Sequence, residues 1–167
     1  MNEWIGKAKE YLAQKDYHKS IDAFSKAIGE GQNTSEVYLS RGIAYFMISD
    51  YEKAKADFNQ AIQLNPDYSR AYYSRGLVFY SLKEYWKAVS DFDKAVKLNP
   101  KYAAAYLAKA KVYMALGKEE KVDENLKMVI RLGEARFQTS CNVYDSRTIE
   151  EKVQELKESL SGHGVRS

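Results

Sequence analysis

The chain has 167 residues, 45% of them hydrophobic and 29% charged, with a net charge of +3, the profile of a single soluble globular domain. No run approaches the roughly 20 apolar residues that cross a bilayer, and Met1 to Gly6 lacks the basic start and apolar middle of a secretory signal. An intracellular, cytoplasmic protein without membrane insertion is expected, and the lone Cys141 cannot form an intrachain disulfide and argues against a cysteine-based metal site.

From its first residues the chain repeats itself every 34 positions. Laying 1–34, 35–68, 69–102 and 103–136 beneath one another aligns Trp4, Tyr38, Tyr72 and Tyr106, then Tyr11, Tyr45, Phe79 and Tyr113. Farther along, the same frame aligns Tyr17, Tyr51 and Tyr85, then Phe24, Phe58 and Phe92, then Ala27, Ala61 and Ala95. A fixed period of this length is the signature of a solenoid. Within each copy the apolar residues fall at helical spacing in two segments. In the second copy, Thr34 or Ser35 caps a helix running through Val37, Tyr38, Tyr45 and Ile48, and Ser49 to Glu52 reads as a capping box that opens its partner. That partner stops at Asn65-Pro66, because proline has no N–H to continue the ladder, so Pro66 and Pro100 mark joints between copies. Gly42, Gly76, Ala54, Ala61, Ala88 and Ala95 let helices approach closely while the aromatic columns fill the spaces between them. The predicted fold is all-α, a stack of antiparallel helix pairs.

Charge varies along the stack, from −2 in the second copy to +4 in the third. Lys83, Lys87, Lys94, Lys97 and Lys101 are spaced as a solvated helix face, without a dense basic cluster. Beyond 136 the repeat stops. Residues 137–145 read as a connector, irregular from Gly133 onward, and 146–160 as an amphipathic helix with a capping box at Thr148 to Glu151 and an apolar stripe of Ile149, Val153, Leu156 and Leu160. This helix is expected to cover the exposed end of the fourth copy, and 161–167 to form a flexible tail.

With these columns in view, the unit resembles the tetratricopeptide repeat, whose slots call for an aromatic, Gly, Tyr, Ala, an aromatic, Ala and Pro. The second copy supplies Tyr38, Gly42, Tyr45, Ala54, Phe58, Ala61 and Pro66, and the third Tyr72, Gly76, Phe79, Ala88, Phe92, Ala95 and Pro100. The first copy departs with Ala8, Ser20 and Gln32, and the fourth with Val122, Leu126, Val129 and Glu134, as terminal repeats commonly do. The resemblance implies an α-solenoid, a right-handed superhelix of four helix pairs over 1–136 with a C-terminal capping helix and a concave inner face.

The first helix of each copy is apolar on two opposite sides. At about 100° per residue, Tyr38, Arg41, Gly42 and Tyr45 share one side, while Leu39, Ser40, Ile43, Phe46 and Met47 share the other. Stacking covers only one of them. In the third copy the second side carries Tyr73, Ser74, Leu77 and Tyr80, with Arg70 at its start, and in the fourth Leu107, Lys111 and Met114. Under the resemblance this side is the groove, so the expected function is a protein-interaction adaptor holding a peptide or partner helix through apolar contacts.

The resemblance also supplies a test. Tetratricopeptide domains that hold acidic chaperone tails use a clamp of Lys and Asn residues with an Arg; the matching positions here are Ile5, Lys9, Ser40, Arg70 and Ser74, and one unit farther on Leu39, Ile43, Ser74, Ala104 and Ala108. The clamp is absent in both frames. Arg41 with Asp57, and Arg75 with Asp91, occupy equivalent slots and are expected to form charge-assisted hydrogen bonds between helices of the middle copies. Trp86, on the expected convex face, is a second candidate contact.

Enzyme chemistry has little to build on. His18 and His163 stand alone, the glycines form no phosphate loop, and no cofactor or metal is expected. Stacking of Tyr73 and Tyr80 on nucleic-acid bases would need lysines on the same face, whereas they fall on the second helices, which argues against nucleic acid. The alternative is a self-assembling scaffold, a homo-oligomer or a self-filled groove, in which the C-terminal helix of the chain or of a neighbour occupies the groove.

Overall fold

Three residues separate the two helices of every copy, and they are built the same way each time. In the computed structural model, which describes residues 3–137 and 149–162, α1 (Glu3–Ala13) pairs with α2 (Tyr17–Gly29) and α3 (Ser35–Met47) with α4 (Tyr51–Leu64). The third hairpin is α5 (Ser69–Ser81) with α6 (Tyr85–Leu98), and the fourth α7 (Ala103–Ala115) with α8 (Glu119–Phe137), followed by α9 (Ile149–Gly162). At the turns, Lys15, Ser49, Lys83 and Gly117 stand 34 residues apart in the left-handed region, with φ of 62°, 62°, 60° and 67°. The N–H of the next residue reaches back five positions: Asp16 to the Tyr11 carbonyl, Asp50 to Tyr45, Glu84 to Phe79 and Lys118 to Tyr113, at 2.8 to 2.9 Å. This Schellman closure satisfies the last carbonyls of the first helix.

In two hairpins the residue after the turn also opens the second helix. The carboxylates of Asp16 and Asp50 accept from the backbone N–H of Lys19 and Lys53, both at 3.3 Å. The cap is therefore Asp50, not the Ser49 of the predicted capping box, because Ser49 is the residue that takes the left-handed conformation. The Lys53 ammonium, 2.9 Å from Asp50, holds that carboxyl below its ordinary range. A side chain in the left-handed region costs about 1–2 kcal/mol. Ser49→Gly relieves this and adds backbone freedom to the unfolded chain, so a net gain of about 0.5–1 kcal/mol is expected. Gly117→Ala should shift stability the other way, and urea titration of both variants checks the two signs.

The chain forms two compact units, Met1–Leu98 and Asn99–Ser167. In the first, α2 packs on α3 and α4 on α5, and the first helices also touch in order, α1 with α3 and α3 with α5. Closeness within the hairpins depends on glycine: a Cβ on Gly42 would lie 2.7 Å from the Phe58 ring, and one on Gly76 2.6 Å from the Phe92 ring. Phe24, Phe58 and Phe92 are fully buried, among alanines that leave room for them. Ser20 occupies a slot that the middle copies fill with alanine, and its buried hydroxyl donates to the Ala8 carbonyl at 2.9 Å. At the joint after α4, the Asn65 side-chain oxygen accepts from the Asp67 N–H at 3.2 Å, closing a turn around Pro66.

In the second unit α9 packs on α8. Val153 is buried against Ala110, Val122, Leu126 and Ile130, with Leu156 and Leu160 packed beside it. Lys157 pairs with Asp123 at 2.5 Å, and Glu150 with Lys127 at 3.6 Å. Helix α8 runs through Gly133 to Phe137 in place of the irregular stretch predicted from Gly133. Glu134 stands in the proline slot, so the N–H groups that propagate a helix are all present. Helix α9 likewise continues to Gly162, beyond the predicted end at 160. Cys141 and the rest of connector residues 138–145, residues 146–148 with Thr148 of the predicted capping box, and 163–167 with His163 lie outside the described residues.

Candidate functional site

The joint side of α3 and α5 is held by two arginines. Arg41 donates through Nε and Nη2 to the two carboxylate oxygens of Asp57, both at 2.8 Å, and through Nη1 to the Ser25 hydroxyl at 3.0 Å. Arg75 repeats the arrangement one copy later, with Asp91 at 2.8 and 2.7 Å and Asn59 at 2.7 Å. Each guanidinium also lies between two rings, Tyr38 and Tyr45 for Arg41, Tyr72 and Phe79 for Arg75, at 5.7 to 5.9 Å from the centroids. The paired aspartate pushes each guanidinium pKa above its ordinary value. Sequence reasoning pointed to the aspartates but missed the third acceptor on the preceding copy. Its signal was a polar residue, Ser25 or Asn59, in one column of α2 and α4.

The opposite side of α3 and α5 carries the predicted ligand contacts, and the structure divides them. Ile43 and Phe46 are half-buried and pack on the cluster of Leu39, Ala54, Phe58, Ala61, Ala71 and Val78. The Phe46 ring lies 5.7 Å from Tyr51, and one copy later Tyr80 lies 6.0 Å from Tyr85. Tyr73 rests against Phe92 at 5.7 Å, and burial raises the pKa of its phenol. Met47 is 51% exposed, Arg70 is exposed, and Ser40, Leu77 and Tyr80 are half-buried. Two predicted contacts are corrected: Leu39 is 1% and Ser74 7% exposed. Leu39 belongs to the core cluster that α3 shares with α4 and α5.

In the second unit the equivalent residues have a different setting. Leu107 and Met114 pack against the cluster that includes Val153 of α9, while Lys111 is exposed. A cleft of about 390 Å³ lies beside Met114, lined also by Val122, Gln154, Lys157 and Ser161. Elsewhere, His18 is exposed and Trp86 is 62% exposed. Among the described residues, no group of three or more His, Cys, Asp or Glu side chains is placed to hold a metal ion, and no helix is long and apolar enough to cross a membrane.

Helix hairpins that recur every 34 residues, with Phe24, Phe58, Phe92 and Leu126 buried in one column, define an α-solenoid of repeats with a C-terminal helix. The tetratricopeptide repeat pattern matches residues 35–68 and 69–102, so the chain carries two tetratricopeptide repeats side by side. A search of the curated proteins gives no match. Among solved structures, the chain is similar to MamA, with 26% identity and a TM-score of 0.77 over 81% of this chain and 79% of that one. It is also similar to the first tetratricopeptide domain of Spaghetti (RPAP3) bound to the HSP90 peptide SRMEEVD, with 27% identity and a TM-score of 0.66 over 68% of this chain and 90% of that one. The second such domain of human RPAP3, in complex with the HSP70 peptide SGPTIEEVD, gives 26% identity and a TM-score of 0.62 over 65% of this chain and 91% of that one.

Proposed function

We propose that this protein is a non-catalytic adaptor whose first unit holds a peptide or partner helix on the side of α3 and α5 formed by Ser40, Ile43, Phe46, Met47, Leu77 and Tyr80, with Tyr73 and Arg70 at its border. The observation that carries this reading is the run of half-exposed apolar side chains along two touching first helices, in a fold whose relatives are seen with bound peptides. Those relatives hold peptides ending in Glu-Val-Asp. Here Ile5, Ser40 and Ser74 stand where the resemblance expects clamp residues, leaving Lys9 and Arg70 as the cations. The ligand is therefore recognised by apolar anchors and not by its terminal carboxylate. Met47 adapts to irregular shapes, and the tyrosines offer a flat apolar body with a polar tip.

The test is selection of binders from a displayed peptide library on the intact protein. Selected peptides should carry apolar anchors, tolerate amidation of their C-terminus and bind with little salt dependence. Leu77→Glu should weaken them at least about tenfold, or about 1.4 kcal/mol, while circular dichroism stays unchanged. Peptides that bind the variant equally would move the site elsewhere. Self-coverage is the second reading for the other unit, where Leu107 and Met114 already pack on the α8–α9 cluster.

A further inference from the structure

The repeats are their own control. Columns dictated by the framework stay constant between the second and third copies, so a solvent-facing column that changes is not required by packing. On α4 the residues Glu52, Ala56, Gln60 and Gln63 are neutral apart from one acid; on α6 the same columns carry Trp86, Ser90, Lys94 and Lys97, with Lys94 half-buried and its ammonium 5.7 Å from the Tyr72 ring. These four positions fall on one helical stripe, about 16 Å long at 1.5 Å per residue. Trp86 at one end is 62% exposed, in a slot where the other copies have His18, Glu52 and Glu120. Asp93 lies on the same side of α6, whereas Asp91 is turned inward and paired with Arg75.

A complementary surface exists on the same chain. Helix α9 exposes Glu150, Glu151, Glu155 and Glu158, with Glu150 paired to Lys127, while Lys157 pairs with Asp123 and Lys152 is half-buried. Glu151, Glu155 and Glu158 sit at i, i+4 and i+7, an acidic stripe about 10 Å long. We propose that the Trp86–Lys94–Lys97 face of α6 in one copy docks on the acidic face of α9 in a second copy, giving reversible self-association through a surface separate from the ligand side of α3 and α5. The two patches differ, so two copies either exchange both contacts as a closed pair or each engage two neighbours. Each contact is built from solvated charges around one aromatic anchor and weakens as salt screens it.

Sedimentation velocity of the full chain at a few tenths of a millimolar, in salt of about 20 mM and about 500 mM, reads this directly. The wild type should associate at low salt and disperse at high salt. Lys94→Glu/Lys97→Glu and Glu155→Lys/Glu158→Lys should each be monomeric in both buffers, and an equimolar mixture of these two variants should regain association, because the reversed faces match. All four positions face solvent or are half-buried, and circular dichroism verifies that each variant folds. A wild type that stays monomeric at low salt overturns the proposal, as does a mixture that fails to recover. Association that survives both charge variants and disappears with Leu77→Glu also overturns it, and would assign self-contact to the ligand side instead.

Discussion

Phe92→Ala is expected to lower the stability of the first unit by about 3–5 kcal/mol, the cost of a large buried side chain and the cavity it leaves. The ring is fully buried, its edge lies against the Gly76 backbone, and Tyr73 rests on it at 5.7 Å. Gly76→Ala alone should cost about 1–2 kcal/mol, since overpacking against the ring outweighs the better helix propensity of alanine. The first copy shows why that cost stays moderate: Ala8 and Phe24 occupy the same two slots, both fully buried. In the double variant the added methyl finds the space the ring vacated, so the two effects should sum to less than their separate values. Denaturant midpoints of the four proteins close this cycle. Because Tyr73 borders the proposed ligand surface, Phe92→Ala should also weaken peptide binding there.

Arg75→Ala should cost about 2–4 kcal/mol, because it strips the Asp91 carboxylate, 5% exposed, of both its guanidinium bonds and leaves a charge in a site with little water. Asp91→Ala should cost less, about 1–2 kcal/mol, since Arg75 keeps its bond to Asn59 and its side chain, 22% exposed, can turn toward solvent. Removing both partners should recover part of the loss. Arg75→Lys should rescue poorly, because one ammonium cannot span the two Asp91 oxygens and Asn59 in the fork geometry that guanidinium provides. Equal losses for Arg75→Ala and Asp91→Ala, with no recovery in the double variant, would mean that the pair acts through packing alone.

Much of this architecture was legible in the residues. The 34-residue period, the proline stops at Pro66 and Pro100 and the glycines opposite Phe58 and Phe92 all follow from rules that act within one or two helices. Arg41 and Arg75 could be paired with their aspartates because two copies repeat the coincidence. What was not legible depended partly on packing among helices and partly on local backbone conformation. Leu39 and Ile43 both belong to the apolar side of α3, yet the cluster shared with α4 and α5 buries one and leaves the other half-exposed. The distinction between Ser49 and Asp50 turned on which residue takes a positive φ, and serine has no composition signal for that. Gly133 suggested a break, but glycine only weakens a helix, whereas proline would have stopped it.

The reach of the two arginines has a consequence for how the first unit comes apart. Arg41 joins three helices at once, its own α3, the α4 of its own copy and the α2 of the copy before, and Arg75 does the same for α5, α6 and α4. Opening a boundary between copies therefore costs a bond of the same guanidinium that holds the hairpin beyond it together. Neighbouring copies linked in this way melt in concert, so the first three hairpins should show one sharp transition where a set of loosely stacked hairpins would fray one by one.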